Sequence, residues 1–228
     1  MRDNDREVLH PRGFKPKWRN GRDILDMFGW RKAFGEVAPW YFKRRYIFYL
    51  HDLRAPQAVP PAAVTIRLER ASGENLSDFL VLRPGYLTRG LLEKRLARGH
   101  LGFLVRSGDR PVLMRWVFLN RVFLPYLDRT LILSAGQAYT DDTYAAPEFR
   151  RLKIYSASGY SIRLALRDRG LTRAFSAIAS WNTPPLKDAV RSGATRVGEG
   201  GYIHRFGSRS YSWTGALNDH GDGTISFL

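Results

Sequence analysis

Two adjacent carboxylates, Asp141 and Asp142, stand inside an alternating stretch that reads AYTDDTYA. An amine nucleophile is protonated at neutral pH, so a positioned carboxylate must take its proton before or during attack. Successive strand residues face opposite sides, so only one of the pair is expected to enter a cleft. The plainer reading is that both cap a strand end on the surface. Shortly after them comes PEFRRLKIY, in which Arg150, Arg151 and Lys153 crowd the start of a helical pattern. A helix start presents unpaired amide N–H groups and the positive end of the helix dipole, which suits a phosphate. Glu148, beside Pro147, reads as a carboxylate that balances that dipole.

Other chemistries find little support. The chain has no cysteine, so thiolate nucleophiles, thiolate metal sites and disulfides are excluded. The five histidines, His10, His51, His100, His204 and His220, are scattered without ligand spacing, and no metal is expected. Neither GxSxG nor GxxxxGK[ST] occurs, which leaves the serine-hydrolase elbow and the P-loop unsupported.

The elements that must position these residues follow from periodicity. VTIRLER, from Val64 to Arg70, alternates and reads as a strand, with Val64, Ile66 and Leu68 on one face. ENLSDFLVL and YLTRGLLEKRLARG read as helices, the second with Leu87, Leu91, Leu92 and Leu96 at helical spacing. LGFLVRSGDRPVLMRWVFL is a strand–turn–strand hairpin. A strand is expected from Ala138 to Ala145, a helix from Leu152 to Arg169 ended by Gly170, and a buried strand from Ala174 to Trp181. PLKDAVRSG is a short helix, and ATRVGEGGYIHRFG and SYSWTG give two more strands. Runs of antiparallel strands around one central strand–helix–strand unit predict an α+β fold: a mixed, mostly antiparallel sheet flanked by helices.

Residues 1–61 look different. RGFKPKWRNGR is basic and broken by Gly and Pro, and a short helix capped by Asp23 is expected over Ile24–Phe28. WYFKRRYIFYL surrounds Lys43, Arg44 and Arg45 with aromatics, as a strand or an interfacial helix, and is expected to pack over the core as an arm. APQAVPPAA, Ala55 to Ala63, reads as a proline-rich linker. The expected division is therefore an N-terminal basic and aromatic extension with its linker, 1–61, followed by one domain, 62–228.

The 37 Lys and Arg against 21 Asp and Glu give a formal net charge of +16. Such a surface attracts polyanions: nucleic acid, anionic lipid, an acidic carrier protein or a phosphorylated cofactor. No apolar run is long enough to span a membrane and the N-terminus carries no secretory signal pattern, so a cytoplasmic location is expected.

The order AYTDDTYAAPEFRR, a helix ending LRDRGL, AFSAIASWN, a helix ending RSGATRVGE, and YIHRFG resembles the GCN5-related N-acetyltransferase (GNAT) family. The resemblance implies that a pantetheine thioester, acetyl-CoA or another acyl-CoA, lies along a splayed strand, Ala138 to Ala145, with Tyr144 and Ala145 among its contacts. It implies that the donor's diphosphate meets Arg150, Arg151, Lys153, Ile154 and Tyr155, and that Asn182 contacts the pantetheine arm. Asn182 also reads as a helix N-cap. Asp142 is the favoured base with Asp141 beside it, and a backbone N–H near Ala145 would stabilise an oxyanion.

Two departures stand out. The family's turn, Gln/Arg-x-x-Gly-x-Gly/Ala, falls here on Arg150 to Tyr155, so Lys153 and Tyr155 replace its small residues. The tyrosine that commonly protonates the leaving thiolate falls on Ala189, which leaves Tyr202, Tyr160 or water. The implied function is acyl transfer from acyl-CoA, or from the phosphopantetheine of an acidic acyl carrier protein, to an amine-bearing acceptor. Arg83, Arg89, Arg95 and Arg98 hint at an anionic acceptor or form a solvated basic helix face. The alternative is a degenerate relative that holds nucleic acid or anionic membrane without catalysis; aminoacyl transfer is a third reading. Oligomeric state is left open.

Overall fold

The computed structural model describes residues 43–55, 63–150, 152–205 and 208–228. The expected helix near Ile24, most of the proline-rich linker and Arg151 lie outside them. The hairpin sets the frame: β3 (Leu101–Ser107) pairs antiparallel with β4 (Arg110–Phe118) across a Gly108–Asp109 turn. Alternation sends Leu104, Met114, Trp116 and Phe118 to one side and Phe103 and Val117 to the other, and each set joins a separate apolar cluster. Two helices, α1 (Leu76–Leu82) and α2 (Arg89–Ala97), cover the first side with Leu76, Phe79, Leu91 and Leu92. Thr88 starts α2 by accepting a hydrogen bond from the Leu91 amide at 3.3 Å. The second side carries α3 (Ile154–Arg167), which buries Ile162 and Leu166.

The central unit is β7 (Gln137–Ala145), α3 and β8 (Arg173–Ala179), with β7 and β8 parallel. Gly170, at φ +82°, ends α3 by turning the chain left-handed. The remaining elements of the large sheet are β1 (Lys43–Asp52), β2 (Arg67–Arg70), β9 (Thr195–Arg205) and β10 (Ser208–Gly215), and α4 (Thr183–Arg191) precedes β9. The order is β10-β9-β1-β8-β7-β4-β3-β2, antiparallel except at β7–β8. This is the mixed, mostly antiparallel, helix-flanked sheet expected from the sequence.

One expectation is corrected. The segment around Lys43 to Leu50 is no arm over the core: β1 lies inside the sheet, paired with β8 on one edge and β9 on the other. A boundary after residue 61 thus cuts through the sheet's own hydrogen bonds. The close approach of β1 and β9 depends on glycine, since a Cβ on Gly201 would sit 2.0 Å from the Arg44 carbonyl oxygen.

A second sheet was not foreseen. Short strands β5 (Arg121–Leu124), β6 (Arg129–Ile132), β11 (Leu217–Asp219) and β12 (Thr224–Phe227) join in the order β11-β12-β6-β5. Phe227 stacks on Phe175 of β8 with ring centroids 3.6 Å apart, which fixes this sheet to the α1/α2 side of the large one.

Candidate active site

The parallel pair is short. β7 and β8 are in register only at Gln137–Arg173, Ala138–Ala174 and Tyr139–Phe175. Beyond that point β7 continues along β4 and β8 along β1, so the two strands part. Each leaves an edge of backbone N–H and C=O groups facing the gap, and Thr140 Oγ1 bridges it at its narrow end by donating to the Phe175 carbonyl at 3.2 Å. The gap opens into a cleft of about 410 Å³, walled by Thr140–Asp141 and Thr143 of β7, Ser176–Ala179 of β8, and faces of α3 and α4.

The strand β7 carries a bulge. Trp116 faces Asp141 and Met114 faces Tyr144, so Asp142 and Thr143 together oppose Arg115. Asp142 sits at φ +46°. The bulge undoes the alternation expected of the two aspartates: both carboxyls come within the influence of Arg95. Asp142, favoured as base, is instead clamped. Arg83 Nη1 donates to its Oδ1 at 2.8 Å and Arg95 Nη1 to its Oδ2 at 2.7 Å, with the Asp142 side chain 5% exposed and that of Arg95 fully buried. Arg83 and Arg95 are therefore not part of a solvated basic face, whereas Arg89 pairs with Glu93 on the surface.

Asp141 is the carboxylate that lines the cleft. Its Oδ1 accepts from the Asp142 amide at 2.7 Å, and the Tyr126 hydroxyl lies 3.4 Å from Oδ2. Burial, reinforced by the charge of Asp142, pushes its pKa up from 3.8 to about 6. Tyr126 and Tyr139 share a hydroxyl–hydroxyl hydrogen bond, and the Tyr46 ring packs 4.4 Å from that of Tyr126. Burial raises all three phenols, Tyr46 to about 12. Tyr46 and Tyr126 line the cleft. Neither was singled out in the sequence, and Tyr126 lies in an insert whose strands had not been recognised.

The expected donor residues disperse. Lys153, just before α3, sits at φ +57°, the left-handed conformation that favours glycine. Arg150 and Lys153 are exposed at the α3 tip. Tyr155 lines the cleft, 40% exposed, with the Arg115 guanidinium 4.4 Å from its ring centroid. Ile154 is 2% exposed and packs with Val105, Val112 and Leu113, so its side chain belongs to the core. Tyr144 packs toward Arg83, and Ala145 against the Ile154 cluster; neither lines the cleft. Asn182 does line it, and caps α4 without a side-chain hydrogen bond. Tyr202 is absent from the cleft wall: it lies on β9, 5.5 Å from Tyr211 and 4.8 Å from the Arg209 guanidinium. Glu148 pairs with Arg110 on the surface.

Two arginines complete the wall. Arg115 comes from β4 opposite the bulge and Arg163 from the third turn of α3; they are 7% and 8% exposed. Arg115 Nε donates to Thr143 Oγ1 at 3.1 Å, while its Nη2 is buried without a partner. Gly159 makes the room: a Cβ there would lie 3.0 Å from Arg115 Nη1 and 3.3 Å from Arg163 Nη1. His51, bonded to Ser192 Oγ at 3.0 Å, is lowered to about 3 by burial and then by these two charges.

Solved structures similar to this chain include a GCN5-related N-acetyltransferase from Sphaerobacter thermophilus, 12% identical, covering 74% of this chain and 54% of that one, with a TM-score of 0.49. A functionally unknown conserved protein from Staphylococcus epidermidis is 12% identical over 73% of this chain and 64% of its own, with a TM-score of 0.46. The structure of AAC(6′)-Iy with the bisubstrate analog CoA-S-monomethyl-acetylneamine is 12% identical over 57% of this chain and 90% of its own, with a TM-score of 0.45. This chain thus spans less than two thirds of the length of the first two. No family model matches the sequence, and no curated protein matches it. All three TM-scores lie below 0.5, and what the cleft can do follows from its own residues.

Proposed function

We propose that this chain is an N-acyltransferase that moves an acyl group from a pantetheine thioester, held between β7 and β8, to an amine. The observation that carries the reading is Asp141: a part-buried carboxyl lining the cleft where two parallel strands part, its pKa raised to about 6. A base with a pKa just below neutrality is ionised at pH 7 and still a good proton acceptor. The cleft fits the donor class. Its volume of about 410 Å³ suits a small-molecule site, and its two facing strand edges offer ladder partners to an extended, amide-bearing arm.

The bound thioester, from acetyl-CoA, another acyl-CoA or the phosphopantetheine of a carrier protein, supplies an activated acyl carbon. Asp141 takes the proton of the incoming amine at its free carboxylate lone pairs, with its orientation held by the Asp142 amide. Asp142 acts through this contact as a positioning residue, itself fixed by Arg83 and Arg95. The Tyr46 and Tyr126 hydroxyls keep their protons at neutral pH and replace Tyr202 as candidates to donate one to the departing sulfur. Arg150 and Lys153, exposed at the α3 tip, are the described residues offered to the donor's phosphates.

Because the chain has no cysteine, free thiol released from acyl-CoA can be read against no protein background. Acetyl-CoA and longer acyl-CoAs, each with a panel of primary amines, should give amine-dependent thiol release that Asp141→Asn reduces 100-fold or more. Release at the wild-type rate in that variant would remove Asp141 from the chemistry. No binding of any pantetheine thioester would remove the reading altogether.

A further inference from the structure

Two guanidinium groups, those of Arg115 and Arg163, stand side by side in the cleft wall. Both Nη1 atoms lie within 3.3 Å of the single point that a Gly159 Cβ would occupy. Like charges facing one small space repel, and burial first, then Arg115, lowers Arg163 to about 10. Described groups that act on the pair include His51 on β1, Asp188 on α4, and Tyr155 and Tyr160 on α3. The Asp188 charge favours the Arg163 cation, and its Oδ1 accepts from the Ser156 hydroxyl. Arg115 Nη2 is left with no partner. A buried donor without an acceptor costs stability, so a fold that keeps one gains something else from it.

We infer that Arg115 and Arg163, in the space left by Gly159, form a subsite for an oxyanion, a carboxylate or phosphate, carried by the small molecule that occupies the cleft. The position limits the ligand. Thr143, which holds Arg115 Nε, is two residues along β7 from Asp141, so their Cα atoms are at most roughly 7 Å apart and nearer across the bulge. The subsite and Asp141 therefore share one cleft, and a small bound molecule can reach both. Resting on the acyl-transfer reading, the subsite places the negative charge either on the acyl group delivered or on the amine that receives it.

Calorimetric titration of inorganic phosphate and of succinate at constant ionic strength tests the subsite without any turnover. The expected result is binding of at least one of them to the wild type, weakened tenfold or more in Arg115→Gln. Gly159→Ala is the companion variant. Its Cβ meets only the flexible ends of two arginines, and alanine favours the helix, so its melting temperature should hold or rise while anion affinity falls. A purely structural arginine pair would not separate those two readouts. Absence of binding to the wild type, or equal binding to both variants, overturns the inference.

Thiol release then finds the source. Faster use of succinyl-CoA than acetyl-CoA, lost in Arg115→Gln, places the charge on the donor. Faster use of an amino acid than of its amide, lost likewise, places it on the acceptor. Turnover with no Arg115-dependent preference in either pair overturns the assignment to a reacting ligand. Arg115-dependent anion binding in a chain that never releases thiol upholds the subsite and overturns the transfer reading instead.

Discussion

Replacing Asp141 with Asn should make the protein more stable at neutral pH and less stable, relative to wild type, nowhere in the acid range. The folded carboxyl has its pKa raised from 3.8 to about 6, chiefly by burial, so the folded chain keeps a proton that the unfolded chain releases. The sign follows. Below the unfolded value both states are protonated and the group costs nothing through ionisation. As pH rises through 4 to 6 the folded state is progressively penalised, and above about 6 the cost is constant. At about 1.4 kcal/mol per pH unit the penalty is about 3 kcal/mol. Asn keeps the shape and accepts from the Asp142 amide as the neutral acid does. Allowing for the partial exposure of Asp141, the net gain at pH 8 is about 2 kcal/mol, or roughly 4–8 °C in melting temperature for a chain of this size. Urea unfolding followed by circular dichroism at pH 4, 5, 6, 7 and 8 reads it directly. The gap between variant and wild type should open between pH 4 and 6 and stay flat above. Parallel curves at every pH, or a variant weaker than wild type at pH 8, would refute the account of Asp141 as a part-buried carboxyl with a raised pKa. The same variant should have lost thiol release, so stability and chemistry are expected to move in opposite directions.

Asp142→Ala should cost about 3–5 kcal/mol in urea unfolding, because it strips a buried partner from Arg95. Adding Arg95→Met, which packs beside Trp116 and Phe118, should recover part of that loss; a double variant as weak as the sum of the singles would count against the pair. Lys153→Gly should raise stability by about 1 kcal/mol by relieving a left-handed lysine at the start of α3, and a loss in thermal unfolding would contradict the turn geometry. His51 is held neutral down to about 3 against an ordinary 6.5, so stability present above pH 6.5 is lost as pH falls toward 3. That loss should reach about 2 kcal/mol by pH 4, allowing for cleft water at the ring, and His51→Gln should flatten this limb in a melting-temperature series from pH 7 to 4.

Much of the frame was legible because its signals are local. Leu91 and Leu92 are buried on α2 as their spacing predicts, with Leu87 buried just ahead of the helix, and Gly170 ends α3 as its position in the sequence predicts. The misplaced strand β1 has a physical reason. Tyr46, Phe48 and Tyr49 are all buried, as befits a strand with layers on both faces, and such a strand lacks the alternation that marks a half-exposed one. The small sheet escaped notice because β6 finds its parallel partner β12 some ninety residues later, and four-residue strands carry little pattern. At the site, the Asp141–Asp142 pair was visible, but the choice between them was not. A bulge with positive φ at a non-glycine residue leaves no local mark, and it decides which carboxyl meets the cleft. Arg115 and Arg163 read as ordinary polar positions. The one hint was Gly159, a glycine inside a helix, where such a residue commonly marks close packing.

The place of β1 also sets an order of events during synthesis. Its partners, β8 and β9, lie at 173–205, so the first described strand to leave the ribosome waits roughly 120 residues for either neighbour. Through that interval an aromatic-rich ribbon with two unsatisfied edges is a template for wrong pairing between nascent chains. Like charges at its head, on Lys43, Arg44 and Arg45, oppose such pairing between neighbouring copies.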